Sequence, residues 1–255
     1  MSTWTPGGGL PRSVRLAWGL TDHGSRGPKR GLSLDQVLDA AVAVADAEGL
    51  AGLSMSNVAK RLGFTTMSLY RYVDSKEQLV ELAWDRAIGP PPQFPETGEW
   101  RARLERWAVA EYQAIRARRW CTQLPIRTAP YWPNNMRWLD AALGTLSGTD
   151  LDEPTKLQVV LTVSLYVLGR ARLSWELELA TQNDEMDYAD VMPRLLDPER
   201  FPRVLAAVEG GAFGPDDTPD DPAENAEWHI TDFRFGLDRL LDGFDVFIRQ
   251  IGEES

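Results

Sequence analysis

The chain has 255 residues, 43% of them apolar and 25% charged, enough to bury a sizeable core in one large or two modest domains and unlike disordered, collagen-like or coiled-coil chains. One cysteine, Cys121, excludes an internal disulfide, CxxC zinc sites and thiol-pair redox chemistry, and two histidines, His23 and His229, leave little for His-based metal binding or catalysis. The net charge of −11 argues against a nucleic-acid partner only until it is divided: residues 1–89 hold ten Lys/Arg against nine Asp/Glu, residues 90–255 seventeen against twenty-nine.

Residues 1–31, rich in Gly and Pro with scattered Arg, read as a flexible basic arm. Ser33 with Gln36 makes a capping-box pattern, and Val37, Leu38, Ala41, Val44 and Ala45 recur at helical spacing until Gly49. Ser54 caps a short helix to about Leu62, Gly63 makes a turn, and Thr65 or Thr66 caps a second short helix to about Tyr72. Ser75 with Gln78 repeats the capping box and opens a helix to about Ile88. The run GPPPQFPETG ends it, so 32–89 is set off from 99–255 by a linker at 90–98. Further helices are expected at about 99–119, 134–146, 153–180, 188–196, 199–209 and 223–250, with an acidic loop after 180 and a disordered-looking GGAFGPDDTPDDP. No strand pattern competes, and the expected fold is all-α.

The segment 54–72 has the spacing of a helix-turn-helix. Ala59 lets two helices cross closely, Gly63 takes a left-handed turn, and Val58, Leu62 and Leu69 anchor both helices on the one before. Thr65, Thr66, Met67, Ser68, Tyr70 and Arg71 then remain outside, groups suited to base edges and phosphates. Lys60, Arg61, Arg71 and Lys76 face only Asp74 within 54–76, and because screening acts within about 8 Å the distant acidic half matters less for docking than this local balance.

Residues 38–85, LDAAVAVADAEGLAGLSMSNVAKRLGFTTMSLYRYVDSKEQLVELAWD, resemble the DNA-binding domain of the tetracycline-repressor family of transcriptional regulators over nearly its whole length. The strongest parts are AEGL, LSMSNVAKRLG and SLYRYVDSKEQL. The resemblance implies that Thr65, Thr66, Met67 and Ser68 face bases, that Ser54, Tyr70, Tyr72 and Lys76 hold the phosphate backbone, and that Ser56 and Arg71 serve either. Met67 stands where many members carry a small residue or proline, and suits an apolar contact such as a thymine methyl. The arm is longer than the family usually carries. Arg26, Lys29 and Arg30 within it either reach a minor groove or hang free.

The C-terminal part resembles the family only in helix number and in FRFGLDRLLDGF at 233–244. On the helix at 153–180, Leu157, Leu161, Ser164, Leu168, Ala171 and Trp175 form one stripe, and Val159, Val160, Val163, Tyr166 and Val167 make most of the remaining circumference apolar. On the last helix Ile230, Phe233, Leu237, Leu240, Phe244, Phe247 and Ile251 form a seam beside Leu241 and Ile248. Two helices apolar on more than one side fit a four-helix homodimer interface, expected to use Leu161, Leu168, Trp175, Leu237, Leu240, Leu241, Phe244 and Ile248; the alternative is that both are interior to a monomer.

Trp84, Trp107, Met136, Trp138, Leu139 and Tyr166 lie on helices that the resemblance places around a central cavity. Glu111 and Arg170 share the faces of Trp107 and Tyr166, where a charge either pairs internally or orients a ligand. The ligand-contact set is therefore Trp84, Trp107, Glu111, Met136, Leu139, Tyr166 and Arg170, while Cys121 beside Trp120 reads as a small buried apolar residue.

The expected function is a ligand-responsive repressor that binds a palindromic operator as a homodimer and leaves it when a small, partly apolar or aromatic molecule binds. An alternative is a DNA-binding regulator whose second domain only dimerises or binds a protein. An all-α enzyme is a remote third reading, since no HExxH, GxSxG, GxGxxG or P-loop pattern is present. No cofactor or metal is expected. The longest nearly unbroken apolar run, 159–169, is too short for the roughly 18–20 residues of a membrane span, and the N-terminus lacks the apolar run of a signal peptide, so the expected location is cytoplasmic, with no membrane partner.

Overall fold

A computed structural model describes residues 9–20, 31–124, 131–182, 188–211 and 222–254. In chain order the helices are α1 (Arg12–Ala17), α2 (Leu34–Gly52), α3 (Met55–Leu62), α4 (Thr66–Leu69), α5 (Lys76–Ile88), α6 (Trp100–Arg116), α7 (Pro133–Thr145), α8 (Glu153–Gln182), α9 (Tyr188–Leu195), α10 (Pro202–Glu209) and α11 (Pro222–Glu254). A 3-10 turn, Arg119–Gln123, lies between α6 and α7, and no strand occurs among the described residues. The architecture is all-α.

The local signals act as expected at the start of the chain's core. Ser33 Oγ accepts the Gln36 amide and the Gln36 side-chain oxygen accepts the Ser33 amide, so two amides that α2 cannot satisfy internally are capped. Gly49, at φ 70°, breaks the helix, and Gly63, at φ 72°, turns the chain between α3 and α4. Ser54 and Ser75 cap α3 and α5 by accepting the amides of Asn57 and Gln78. Val37, Ala41, Leu53, Val58, Leu69, Val73 and Leu79 close over one another as a solvent-free core.

Two parts of the sequence reading are corrected here. The first concerns the arm, because residues 12–17 of it are helix: Val14 joins the core, and Ser13 Oγ donates to Asp74 Oδ2 at 2.7 Å. Six residues are too few to display a 3.6 period and too short to hold a helix alone, so only the tertiary contacts reveal it. Arg26, Lys29, Arg30 and His23 lie outside the described residues, as do 183–187 and 212–221 of the acidic and Gly/Pro-rich loops.

The second concerns the Pro-rich segment, which is irregular but does not mark a break in packing. The compact units are Met1–Arg172 with Leu240–Ser255, and Leu173–Arg239. Trp120, Cys121 and Trp132, all beyond the linker, fill the same core as Val37 and Leu69. Trp120 Nε1 also donates to Asp46 Oδ1 at 2.8 Å, which ties the 3-10 turn to α2. Burial pushes the Cys121 thiol up to about 12, so it packs as a small apolar group without thiolate character.

Candidate nucleic-acid interface and effector-side residues

α3 and α4 cross on α2 and leave one face open. Met67, at 73% exposure, is the most prominent group on it, with Phe64, Thr65, Tyr70 and Arg71 exposed around it and Thr66 and Ser68 half-buried. Thr65 and Ser68 share a hydroxyl hydrogen bond at 3.1 Å, which orients both and leaves one O–H free to donate outward. Ser54 uses its oxygen as a cap acceptor, so its O–H proton is free for a phosphate. Ser56 and Lys76 are exposed. Phe64 was not anticipated: it follows the turn glycine, where the helical pattern carries no burial information.

Tyr72 is the exception among the expected phosphate contacts. Its hydroxyl donates to the Leu32 carbonyl, so its proton already serves to fix the entry to α2. A phosphate is an acceptor only, so in this arrangement the Tyr72 hydroxyl has no proton left for one.

The cations of this region divide into two groups. Arg86 pairs with Asp35 and Asp39, and Arg118 with Asp46. Among the described residues Lys60, Arg61, Arg71 and Lys76 have no carboxylate partner. The unneutralised charge therefore belongs to α3, to the end of the α4 turn and to the start of α5, the elements that carry the reading face.

At its other end α5 is bolted to α7. Asp85 is buried, and its two carboxylate oxygens accept the Asn134 amide at 3.2 Å and the Asn135 amide at 2.8 Å, the unsatisfied donors of α7's first turn. Asn134 Nδ2 returns a bond to the Asp85 carbonyl. Burial raises the Asp85 carboxyl above the usual range, and those two amides work against the rise. Nothing in the periodicity marked Asp85, whose role depends on a helix some fifty residues away. Trp84, the preceding residue, is half-buried, and its indole N–H is buried with no partner among the described residues.

The expected ligand-contact set is split by the structure. Trp107 is 1% exposed and donates its indole N–H to the Trp138 carbonyl at 3.0 Å, with the two rings packed edge to face, so it fills core between α6 and α7. Met136 and Leu139 line an open groove of about 560 Å³ with Ala17 and Trp18 rather than facing Trp107. α7 is apolar on two sides, one packed on α6 and the other lining that groove. Glu111, Tyr166 and Arg170 are half-buried. Glu111 accepts the Ser164 hydroxyl at 3.3 Å, and burial pushes its carboxyl up to about 8.

The interface residues are likewise re-phased. Leu237 and Leu241 are fully buried within the protomer and cannot reach a partner. Leu161 is exposed, as are Leu157, Leu165 and, on α11, Val246 and Phe247, while Leu168, Trp175, Leu240, Phe244 and Ile248 are half-buried. Helices apolar around most of their circumference do not show which side meets their own protomer.

These features define a class, DNA-binding regulators with a helix-turn-helix joined to a helical second domain. The sequence profile described as bacterial regulatory proteins of the tetR family matches residues 37–83, and that described as the tetracyclin repressor-like C-terminal domain matches residues 92–248. The chain belongs to the tetracycline-repressor family of transcriptional regulators. It is 34% identical to the HTH-type transcriptional repressor DrrR1 of Streptomyces coeruleorubidus, over 100% of this chain and 93% of that protein. Its fold is similar to apo ActR of Streptomyces coelicolor, with a TM-score of 0.67 at 22% identity over 91% of this chain and 100% of that one. ActR in complex with actinorhodin superposes with a TM-score of 0.65 at 22% identity over 84% of this chain and 95% of that one. No helix among the described residues is long and apolar enough to cross a membrane.

Proposed function

We propose that the chain is an effector-responsive repressor, not an enzyme, that acts in the cytoplasm, binds a palindromic operator as a homodimer and leaves it when a partly apolar or aromatic small molecule binds among the helices beyond α5. The observation that carries this reading is the joint at Asp85. α5 is one rigid helix from its Ser75 cap, beside the reading face, to the Asp85 carboxylate that holds α7. A ligand that displaces α7 or α6 moves the far end of α5 and with it the spacing of two recognition segments, which a dimer must hold at roughly 34–36 Å to match one DNA turn. Trp84 supplies an N–H beside that joint with no partner among the described residues, a donor that an effector carbonyl or hydroxyl would satisfy. The stripes Leu157, Leu161 and Leu165 on α8 and Val246 and Phe247 on α11 are apolar, solvent-facing and suited to a second copy of the chain.

The reading is tested by thermal shift and operator anisotropy with actinorhodin and other polycyclic aromatic compounds as probes. An effector at 100 times its dissociation constant stabilises the protein by about 2.7 kcal/mol and releases operator in the same concentration range. A compound that stabilises the protein without changing operator affinity would favour the reading in which the second domain only dimerises or binds a protein. Asp85→Ala is expected to keep operator affinity within about threefold while its response to effector shrinks, since the cap acts on coupling rather than on the reading face. A mutant that responds as steeply as the parent means that the signal does not pass through Asp85.

On the DNA side, Lys76→Ala is expected to lower operator affinity equally across sequences and to flatten the dependence of log affinity on log salt by about 0.9. An unchanged slope would remove Lys76 from the phosphate contacts.

A further inference from the structure

α1 precedes the matched family profile, and nothing in the helix-turn-helix reading uses it. It is nevertheless fixed at the edge of the reading face. Arg12 Nη1 donates to the Arg71 carbonyl at 2.6 Å, Ser13 Oγ donates to Asp74 Oδ2 at 2.7 Å and accepts from Gln78 Nε2 at 3.0 Å, and Val14 is buried in the core. At its other end Trp18 Nε1 donates to the Tyr131 carbonyl at 3.1 Å. Both ends of this short helix are therefore held, and its first residue lies against the last turn of the recognition segment.

The chemistry of Arg12 is left open by these contacts. A guanidinium has five N–H donors, and the bond to Arg71 uses one of them. The acceptor is a neutral carbonyl, and among the described residues Arg12 has no carboxylate partner, so its charge is undiminished and its side chain is exposed. Asp74, the one carboxylate in the 54–76 segment, is occupied with Ser13. Arg12 thus extends the row of unpaired cations formed by Arg71 and Lys76, in an orientation that a hydrogen bond already sets. A planar, charged fork with free N–H groups, held at the rim of a DNA-reading surface, matches the oxygens of a backbone phosphate.

We propose that α1 is part of the operator-binding surface, with Arg12 holding a DNA phosphate beside the bases read by residues 65–68. The proposal rests on the assignment of that face to DNA. It requires the helix to be docked, so the bonds of Ser13 to Asp74 and Gln78 position the contact without making it.

The test compares Arg12→Gln, Ser13→Ala and Lys76→Ala with the parent by operator anisotropy from low to high salt. Gln removes the charge and, being two bonds shorter, also weakens the hold on the Arg71 carbonyl, so the readout is the salt slope, which a purely structural bond to that carbonyl would not change. Arg12→Gln is expected to flatten the log–log salt slope by about 0.9, equivalent to about 3.5-fold less loss of affinity per fourfold rise in salt, with base preference unchanged. Ser13→Ala is expected to flatten it with Arg12 still present. A parental slope in Arg12→Gln alongside a flattened slope in Lys76→Ala overturns the proposal and leaves the DNA face intact. Parental slopes in both overturn the proposal together with the docking of that face.

Discussion

Leu165→Glu is expected to leave the protein monomeric and to weaken operator binding on the order of a thousandfold or more. Leu165 lies on α8 at 58% exposure, one helical turn beyond the exposed Leu161 and two beyond the exposed Leu157, an apolar stripe that the described residues leave facing solvent. In a two-fold interface each substitution enters twice, so two carboxylates would be desolvated without partners, at a cost of several kcal/mol each. At about 1.4 kcal/mol per tenfold in affinity, a penalty of that size weakens the dimer by about a thousandfold or more. A monomer then meets one half-site only and loses the second set of phosphate and base contacts. Sedimentation equilibrium and operator anisotropy on the same preparation read both effects. An intact dimer with unchanged operator affinity would move the interface elsewhere. Leu237→Ala offers the contrast: this side chain is fully buried in its protomer, so the mutant is expected to lose about 2–5 kcal/mol of stability and remain dimeric.

Glu111→Gln is expected to stabilise the protein, by an amount that grows with pH. Glu111 has one hydrogen-bond partner among the described residues, the Ser164 hydroxyl, and burial raises its carboxyl from the ordinary 4.5 to about 8. A carboxyl raised in the folded state opposes folding above its unfolded value. Below about pH 4.5 both states are protonated and the residue contributes nothing; between about 4.5 and about 8 the unfolded chain ionises while the folded one does not, and stability falls by about 1.4 kcal/mol per pH unit; above about 8 the penalty is constant. The amide keeps an acceptor for Ser164 and removes the titration. Urea unfolding at pH 5.5 and pH 8 should therefore show a small advantage for the Glu111→Gln protein at the lower pH and one of a few kcal/mol at the higher. Equal stability of mutant and parent at pH 8 would place Glu111 in a solvated setting.

Much of the DNA-binding half was legible because its signals are local. The capping box of Ser33 with Gln36, the cap that Ser75 places on the Gln78 amide, the glycines at 49 and 63, and the apolar spacing from Val37 to Leu69 each act within one or two helical turns, whereas the second box expected at Ser75 is only half formed, because Gln78 Oε1 accepts from the Asp74 amide instead. The exposed set around Met67 follows from that geometry, since what does not reach α2 must face outward. The second domain was legible as helices and much less so as faces. α8 and α11 are apolar around most of their circumference, and a periodicity that points to several sides does not choose among them.

The sequence by itself determined the helices from α2 onward, the helix-turn-helix and the segregation of basic charge to the first 89 residues, because capping, turn formation and helical period are decided by residues within a few positions of one another. Only the tertiary structure decided what each long-range partner does. It docks α1 beside Arg71, gives the Tyr72 proton to Leu32, caps α7 with Asp85, buries Leu237 and Leu241 in the protomer, and leaves Leu165 and Val246 outside. Each of these depends on a packing angle between helices, a property of whole surfaces in contact that no short stretch of chain encodes.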